Sequence, residues 1–391
     1  MRRVIGHGAG AAFVVGAALM ERFRRRREQP RIVWGPVPLI SISYWSRALR
    51  RLGYDSQTVV THHYAAYDRA TFDVYLPELV AGRRLQRLGD YLALALMLRR
   101  GDIFVSFFDG GFLYRTPLWR LEAVVLKLAG KKLVVCPYGG DIAMPGHLGP
   151  FEAAFVADYP ATVERAPEVR RRVDWLCRRA DLVIRNFQFG YLPRFDVFWP
   201  QQVAVDTDLW APADAPSPAD GRDGAVVVVH APNHRALKGT EFLEAAVQRL
   251  RDDGLDVQLE LLEGRANEDV RRAVLAGDIV AEQFLGGYAM FAIEGMSAGK
   301  PVLSNLSWMS ADLRAELGDC PIVDATPETL TEQLRTLVTD PQLRARAGEA
   351  GRAYVLSSHS YAAVGSRWAA LFATLWNGRP PTVQSRATTN A

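Results

Sequence analysis

Short apolar runs separated by amphipathic stretches recur along most of the chain. Arg31–Trp34, Ser56–Val60, Ile103–Phe107, Leu133–Cys136 and Leu182–Ile184 are runs of three to five residues, rich in β-branched or aromatic side chains. Ile42–Leu52 and Leu118–Ala129 carry apolar residues at helical spacing and stop at Gly53 and Gly130. Strands that alternate with helices are joined by crossovers. The pattern therefore predicts parallel βαβ units whose strands are buried on both faces.

Ala211–Gly224, rich in Pro, Ala, Asp and Gly, interrupts the alternation and reads as a linker or loop. The pattern then restarts. Ala225–Val229 is an apolar strand, and Thr240 is expected to cap a helix with Phe242, Leu243, Ala246, Val247 and Leu250 on one face. Val257, Leu259 and Leu261 alternate as a strand, Ile293–Ala298 is helical up to Gly299, and Pro301–Ser304 is a strand. Thr326-Pro327 and Asp340-Pro341 each pair a capping residue with a first-turn proline, so each is expected to open a helix. The fold class is α/β, with two doubly wound domains whose ligands bind at the carboxyl ends of the strands, in a cleft between them. The expected divisions are an N-terminal segment (1–29), a first domain (30–205), a second domain (206–360), a helix crossing back (361–377) and a disordered tail (378–391).

Composition agrees with two folded domains. The 391 residues exceed what one core serves, and 49% apolar with 23% charged residues exclude a disordered chain. The net charge of +4 is small and concentrated at Arg22 and Arg24–Arg27. No basic, aromatic-interleaved module is present, which argues against a nucleic-acid partner. Cys136, Cys177 and Cys320 are far apart and fit a reducing compartment. Val4–Met20 is a 17-residue apolar run, short of the about 20 that span a bilayer and not followed by a cleavage region. It reads as a peripheral membrane anchor, its arginines drawn to anionic lipid, or as a helix merely packed on the fold. His62, His63 and His147 have no metal-ligand spacing, and no metal site is expected.

Candidate chemistry lies in the second half. The strand from Ala225 runs into His230-Ala-Pro-Asn233-His234-Arg235-Ala-Leu-Lys238-Gly239-Thr240, just before a helix. Backbone N–H groups and the positive end of the helix dipole gather there, so Arg235 and Lys238 suit an anion such as a diphosphate, or are solvated loop charges. Further on, the glycine-rich turn at Gly286-Gly287 precedes Phe291 and Glu294 among apolar neighbours. A buried carboxyl there needs a partner, which a ribose diol or a nearby Arg or Lys supplies.

Together these stretches resemble the nucleotide-sugar half of the family-4 GT-B glycosyltransferases, in motif order over nearly all of residues 31–376. The resemblance implies a donor diphosphate bound by Arg235 and Lys238, with Asn233 and His234 able to share that role, and a donor ribose on Glu294. Gly287 and Phe291 belong to the same surface, and Gly299-Lys300-Pro301-Val302 matches as well. Two features depart: the spacing from Arg235 to Lys238 is shorter than is usual in the family, and one position differs. Where the family has a sugar-contacting Glu eight residues before Glu294, this chain has Gly286, which leaves Glu282 or Glu263 to approach the sugar. In the first half, Gly35-Pro36-Val37-Pro38 is similar to the family's glycine loop, and Pro137-Tyr138-Gly139-Gly140-Asp141 to a loop beside the active site, where Asp141 orients an acceptor hydroxyl or simply holds a turn. Asp206-Thr207-Asp208 matches the domain junction and is expected to be a turn, not a metal site. The implied activity is hexosyl-type transfer from a nucleoside-diphosphate sugar to a lipid or glycan hydroxyl. It needs no cofactor or metal, the expected location is cytoplasmic, and the basic, apolar N-terminus points to the inner face of the cytoplasmic membrane. A degenerate domain that binds sugar nucleotide without turnover and a sugar-nucleotide 2-epimerase are the alternatives.

Overall fold

The computed structural model describes residues 2–62, 67–79, 88–149, 152–213 and 215–378. The chain forms two compact units: Met1–His147 with Glu164–Pro200 and Val364–Ala391, and Leu148–Val163 with Gln201–Ala363. The expected disordered tail lies outside the described residues from 379 onward.

The first unit holds seven strands: β1 (Ile32–Trp34), β2 (Ser56–Val60), β3 (Val74–Tyr75), β4 (Ile103–Ser106), β5 (Lys132–Val135), β6 (Leu182–Arg185) and β7 (Val197–Phe198). They are all parallel and lie in the order β3-β2-β1-β4-β5-β6-β7, with Ile32 beside both Ser56 and Ile103. The central strands are apolar on both faces because helices cover both. The N-terminal helix, Arg2–Arg22, is one of those covering elements. Val14, Ala17 and Ala18 are buried in the first core with the helices Gly89–Arg100 and Leu121–Leu128. No helix among the described residues is long and apolar enough to cross a membrane. The last helix, Tyr361–Trp376, also serves this unit: fully buried Trp368 packs against Trp34, Trp45 and Trp199 at ring separations of 4.9, 5.4 and 5.2 Å.

The second unit holds β8 (Val226–His230), β9 (Val257–Leu261), β10 (Ile279–Ala281), β11 (Val302–Ser304) and β12 (Val323–Asp324), parallel in the order β12-β11-β10-β8-β9. Of the expected linker, residues 215–224 form a held loop. The buried Arg344 guanidinium donates to the carbonyls of Ser217 and Ala219 as well as to those of Leu337 and Val338. Two helix starts differ from expectation. Thr240 does not cap its helix, Thr240–Asp252; Gly239 does, at φ +72°, and the Thr240 hydroxyl is engaged elsewhere. Thr326-Pro327 forms a turn, with Thr326 bonded to Glu328, and the helix opens only at Leu330. Asp340 does cap: its carboxylate accepts from the Leu343 N–H at 2.7 Å, with Pro341 opening the helix Pro341–Ser358. None of the three cysteines forms a disulfide.

Candidate functional site

In the second sheet the chain order reverses between β8 and β10, which pair directly, Val229 beside Val280. Successive crossovers leave on opposite sides at such a point, and their loops part to form a crevice at the strands' carboxyl ends. His230 ends β8 there. It is fully buried, with Nδ1 2.8 Å from the Ala281 carbonyl oxygen and Nε2 2.9 Å from the Thr240 hydroxyl. Burial pushes its pKa below the ordinary histidine value, so the ring is neutral. The carbonyl can only accept, so Nδ1 donates and Nε2 accepts from Thr240. The imidazole thus ties the end of β8 to the end of β10 and to the start of the next helix.

Around that strut lie the charged groups. The single turn Arg235–Lys238 closes on Gly239, and the Lys238 ammonium pairs with the Glu282 carboxylate, just past β10. Glu282 is 1% exposed, and its other oxygen accepts from the Ala292 N–H at 2.6 Å, in the first turn of the helix Met290–Ser297. Glu294 lies in the same helix and is buried. Its carboxyl is pushed up to about 8, chiefly by burial and then by the neighbouring Glu282, against a hydrogen bond with Asn267. Two buried carboxyls and one lysine therefore meet at the switch point.

Arg235 is engaged differently. Its guanidinium reaches three carboxylates, Glu244 at 2.7 Å, Glu241 at 3.1 Å and Glu263 at 3.3 Å. They raise its pKa, the Glu244 and Glu241 hydrogen bonds most of all. His234 shares a hydrogen bond with the Tyr159 hydroxyl, and Asn233 is exposed on the bend before it.

The glycine turn is held by the residues after β11. Gly287 has φ +77°, and a Cβ there would sit 3.2 Å from both the Trp308 ring and Gln283 Nε2, so a side chain is doubly disfavoured. Its N–H donates to the Asn305 carbonyl at 2.8 Å, and the Asn305 side chain donates to the Phe284 carbonyl at 2.8 Å. Phe291 is half-buried on the following helix.

Gly35 and Asp141 belong to the first unit, whose own switch point lies between β1 and β4. Gly35 has φ +140°, and a Cβ there would fall 1.9 Å from the Val59 carbonyl oxygen. Asp141 is 1% exposed. One of its oxygens accepts from the Phe108 N–H at 2.9 Å, the other from the Tyr138 and Gly139 N–H groups at 3.0 Å each. Burial and then the charge of Asp109 push its carboxyl up to about 7, against those three bonds. Asp141 therefore braces the loops that follow β4 and β5.

The structure thus brings Lys238, Glu294 and the sequence alternative Glu282 together and joins Arg235 to Glu263. Asn267, Tyr159, Glu241 and Glu244 had gone unnoticed, and none carries a motif. Asp206 Oδ1 accepts from the Asp208 and Leu209 N–H groups at 3.2 Å, which makes the D-x-D a turn. Among the described residues no group of three His, Cys, Asp or Glu could hold a metal.

No protein-family model and no curated protein matches the chain. Solved structures do. HepE of Anabaena, determined in complex with UDP-glucose, matches with a TM-score of 0.54 at 17% identity, covering 88% of this chain and 100% of its own. A glycosyltransferase from Rickettsia africae matches with a TM-score of 0.55 at 13% identity, covering 89% and 99%. The chain has the GT-B glycosyltransferase fold.

Proposed function

We propose that the protein transfers a hexosyl group from a nucleoside-diphosphate sugar to a hydroxyl of a cell-envelope glycan or lipid, at the inner face of the cytoplasmic membrane. The observation that carries the reading is Glu294: a buried carboxyl at a switch point whose one side-chain partner among the described residues is Asn267. Burying a carboxyl is costly unless it is paired, and a ribose diol supplies bonds to it. Lys238 and Arg235 stand on the same loop for a diphosphate.

In this reading the bond between sugar C1 and the phosphate oxygen breaks as C1 bonds to the acceptor oxygen, the acceptor's proton passes to the departing diphosphate, and that diphosphate is stabilised by Lys238, Arg235 and nearby N–H groups. Glu294 orients the nucleoside. Lys238 turns from Glu282 toward the phosphates, which frees the Glu282 carboxylate for a sugar hydroxyl. Asp141 positions the Pro137–Asp141 loop that meets the acceptor. UDP-glucose is the first probe, since HepE was solved with it. Calorimetry and donor-hydrolysis assays over a panel of sugar nucleotides test the reading, and absence of both binding and hydrolysis across the panel overturns it.

A second reading, sugar-nucleotide binding without turnover, draws support from the three carboxylates on Arg235. Binding without any donor hydrolysis or transfer favours it.

A further inference from the structure

The N-terminal helix, Arg2–Arg22, has a face that the first unit does not use. Gly10, Val14, Ala17 and Ala18 turn inward. On the other side Ala9, Ala12, Phe13, Leu19 and Met20 form a stripe at helical spacing, continued by Phe23 in the turn after the helix. Phe13 is 51% exposed, Leu19 44%, Met20 72% and Phe23 87%. Single exposed apolar residues are ordinary, but a contiguous stripe of them marks an interaction surface.

The stripe runs into Arg22 and Arg24–Arg27, all exposed. This basic segment is anchored to the fold: the Trp376 indole N–H donates to the Arg27 carbonyl at 3.0 Å, and the Arg26 guanidinium lies 4.1 Å from the Trp376 ring centre. Beside it opens a groove of about 860 Å³, lined by Arg25, Arg26, Arg27 and Arg31 and also by Glu28 and Asp55, so that four cations face two carboxylates. An apolar stripe ending in clustered arginines is complementary to a surface that is apolar below and anionic above. An amphipathic helix lying in a bilayer interface meets that description.

We propose that this face of the helix docks on an anionic lipid bilayer. Phe13, Met20 and Phe23 enter the headgroup layer, and Arg22 to Arg27 face the lipid phosphates. The inference takes up the membrane side of the proposed function. Its test reads binding alone, so it stands or fails apart from sugar transfer.

The test is co-sedimentation of the full chain with phosphatidylcholine vesicles, with and without phosphatidylglycerol, at low and high salt. Binding to the anionic vesicles only, weakened by salt, is expected. Phe13→Ser/Met20→Ser/Phe23→Ser and Arg22→Gln/Arg25→Gln/Arg27→Gln alter exposed side chains, so each should melt like the parent while binding about tenfold or more weakly. Equal recovery on neutral vesicles, or no recovery on either, overturns the proposal without recourse to a variant. So does a parent chain that light scattering shows to be a dimer and that the apolar variant turns into a monomer, which would give the stripe to a second copy.

Discussion

Lys238 is ion-paired to Glu282, whose side chain is fully buried while that of the lysine keeps 13% of its surface. The two are coupled in stability as well as in charge. Lys238→Met strands a buried carboxylate and should destabilise the protein by about 3–5 kcal/mol. It should also lower donor turnover by about a hundredfold or more, because the leaving diphosphate loses its cation. Adding Glu282→Gln should restore much of the stability and none of the turnover. Denaturant melts and donor-hydrolysis rates on the three variants separate the two effects. Recovery of turnover in the double variant would remove Lys238 from the chemistry.

Glu294 makes stability depend on pH. Burial, then Glu282, raises its folded pKa to about 8, so the folded protein holds a proton that the unfolded chain has already lost. Stability is then greatest at acid pH and declines as pH rises from about 5 to about 8. Thermal melts across that window should show a decline of several degrees, shallower in Glu294→Gln. Above about pH 8, where the parent presents a carboxylate that accepts both hydroxyls of a diol on separate oxygens, the same variant should bind the donor about tenfold more weakly. A pH slope identical to that of the parent would show that Glu294 ionises normally.

Arg235 must exchange carboxylates for phosphates if it serves the donor. Glu244→Gln removes the shortest of its three ion pairs, so donor affinity should rise a few-fold, whereas Arg235→Ala should lower it. Titration calorimetry with a nucleoside diphosphate reads both. A fall in affinity in Glu244→Gln would mean that the cage positions the arginine for the phosphate instead of competing for it.

Asp141 braces two loops with three accepted backbone bonds. An asparagine has one acceptor oxygen where the aspartate has two, so Asp141→Asn should cost about 1–3 kcal/mol in a denaturant melt. If turnover per folded molecule survives in that variant, Asp141 acts only through the loop.

The parts of this architecture that could be read from the chain are those in which neighbouring residues decide the outcome. The β8 strand was visible because Val226 to Val229 are all apolar, and the helix after Asp340 because an aspartate and a proline suffice to start one. β10 escaped notice, since Ile279–Ala281 is too short for any periodicity to show. With it went the place of Glu282, whose lysine lies 44 residues earlier in the chain. Thr240 was misread because capping rules look a few residues ahead, whereas its hydroxyl is claimed by His230, ten residues behind. The N-terminal helix is apolar on opposite faces, and periodicity alone does not tell which face meets protein.

The tryptophan cluster around Trp368 bears on the order in which the molecule is made. Trp34, Trp45 and Trp199 are all translated before Trp368, the side chain that closes their pocket. Most of the second unit, Gln201–Ala363, is translated in between, and the two ends of that stretch are tied together, the Val205 N–H donating to the His359 carbonyl at 2.9 Å. The aromatic core of the first unit therefore closes only after Gln201–Ala363 of the second has been made. A nascent chain halted before Trp368 carries an open aromatic pocket, a natural target for a chaperone during translation.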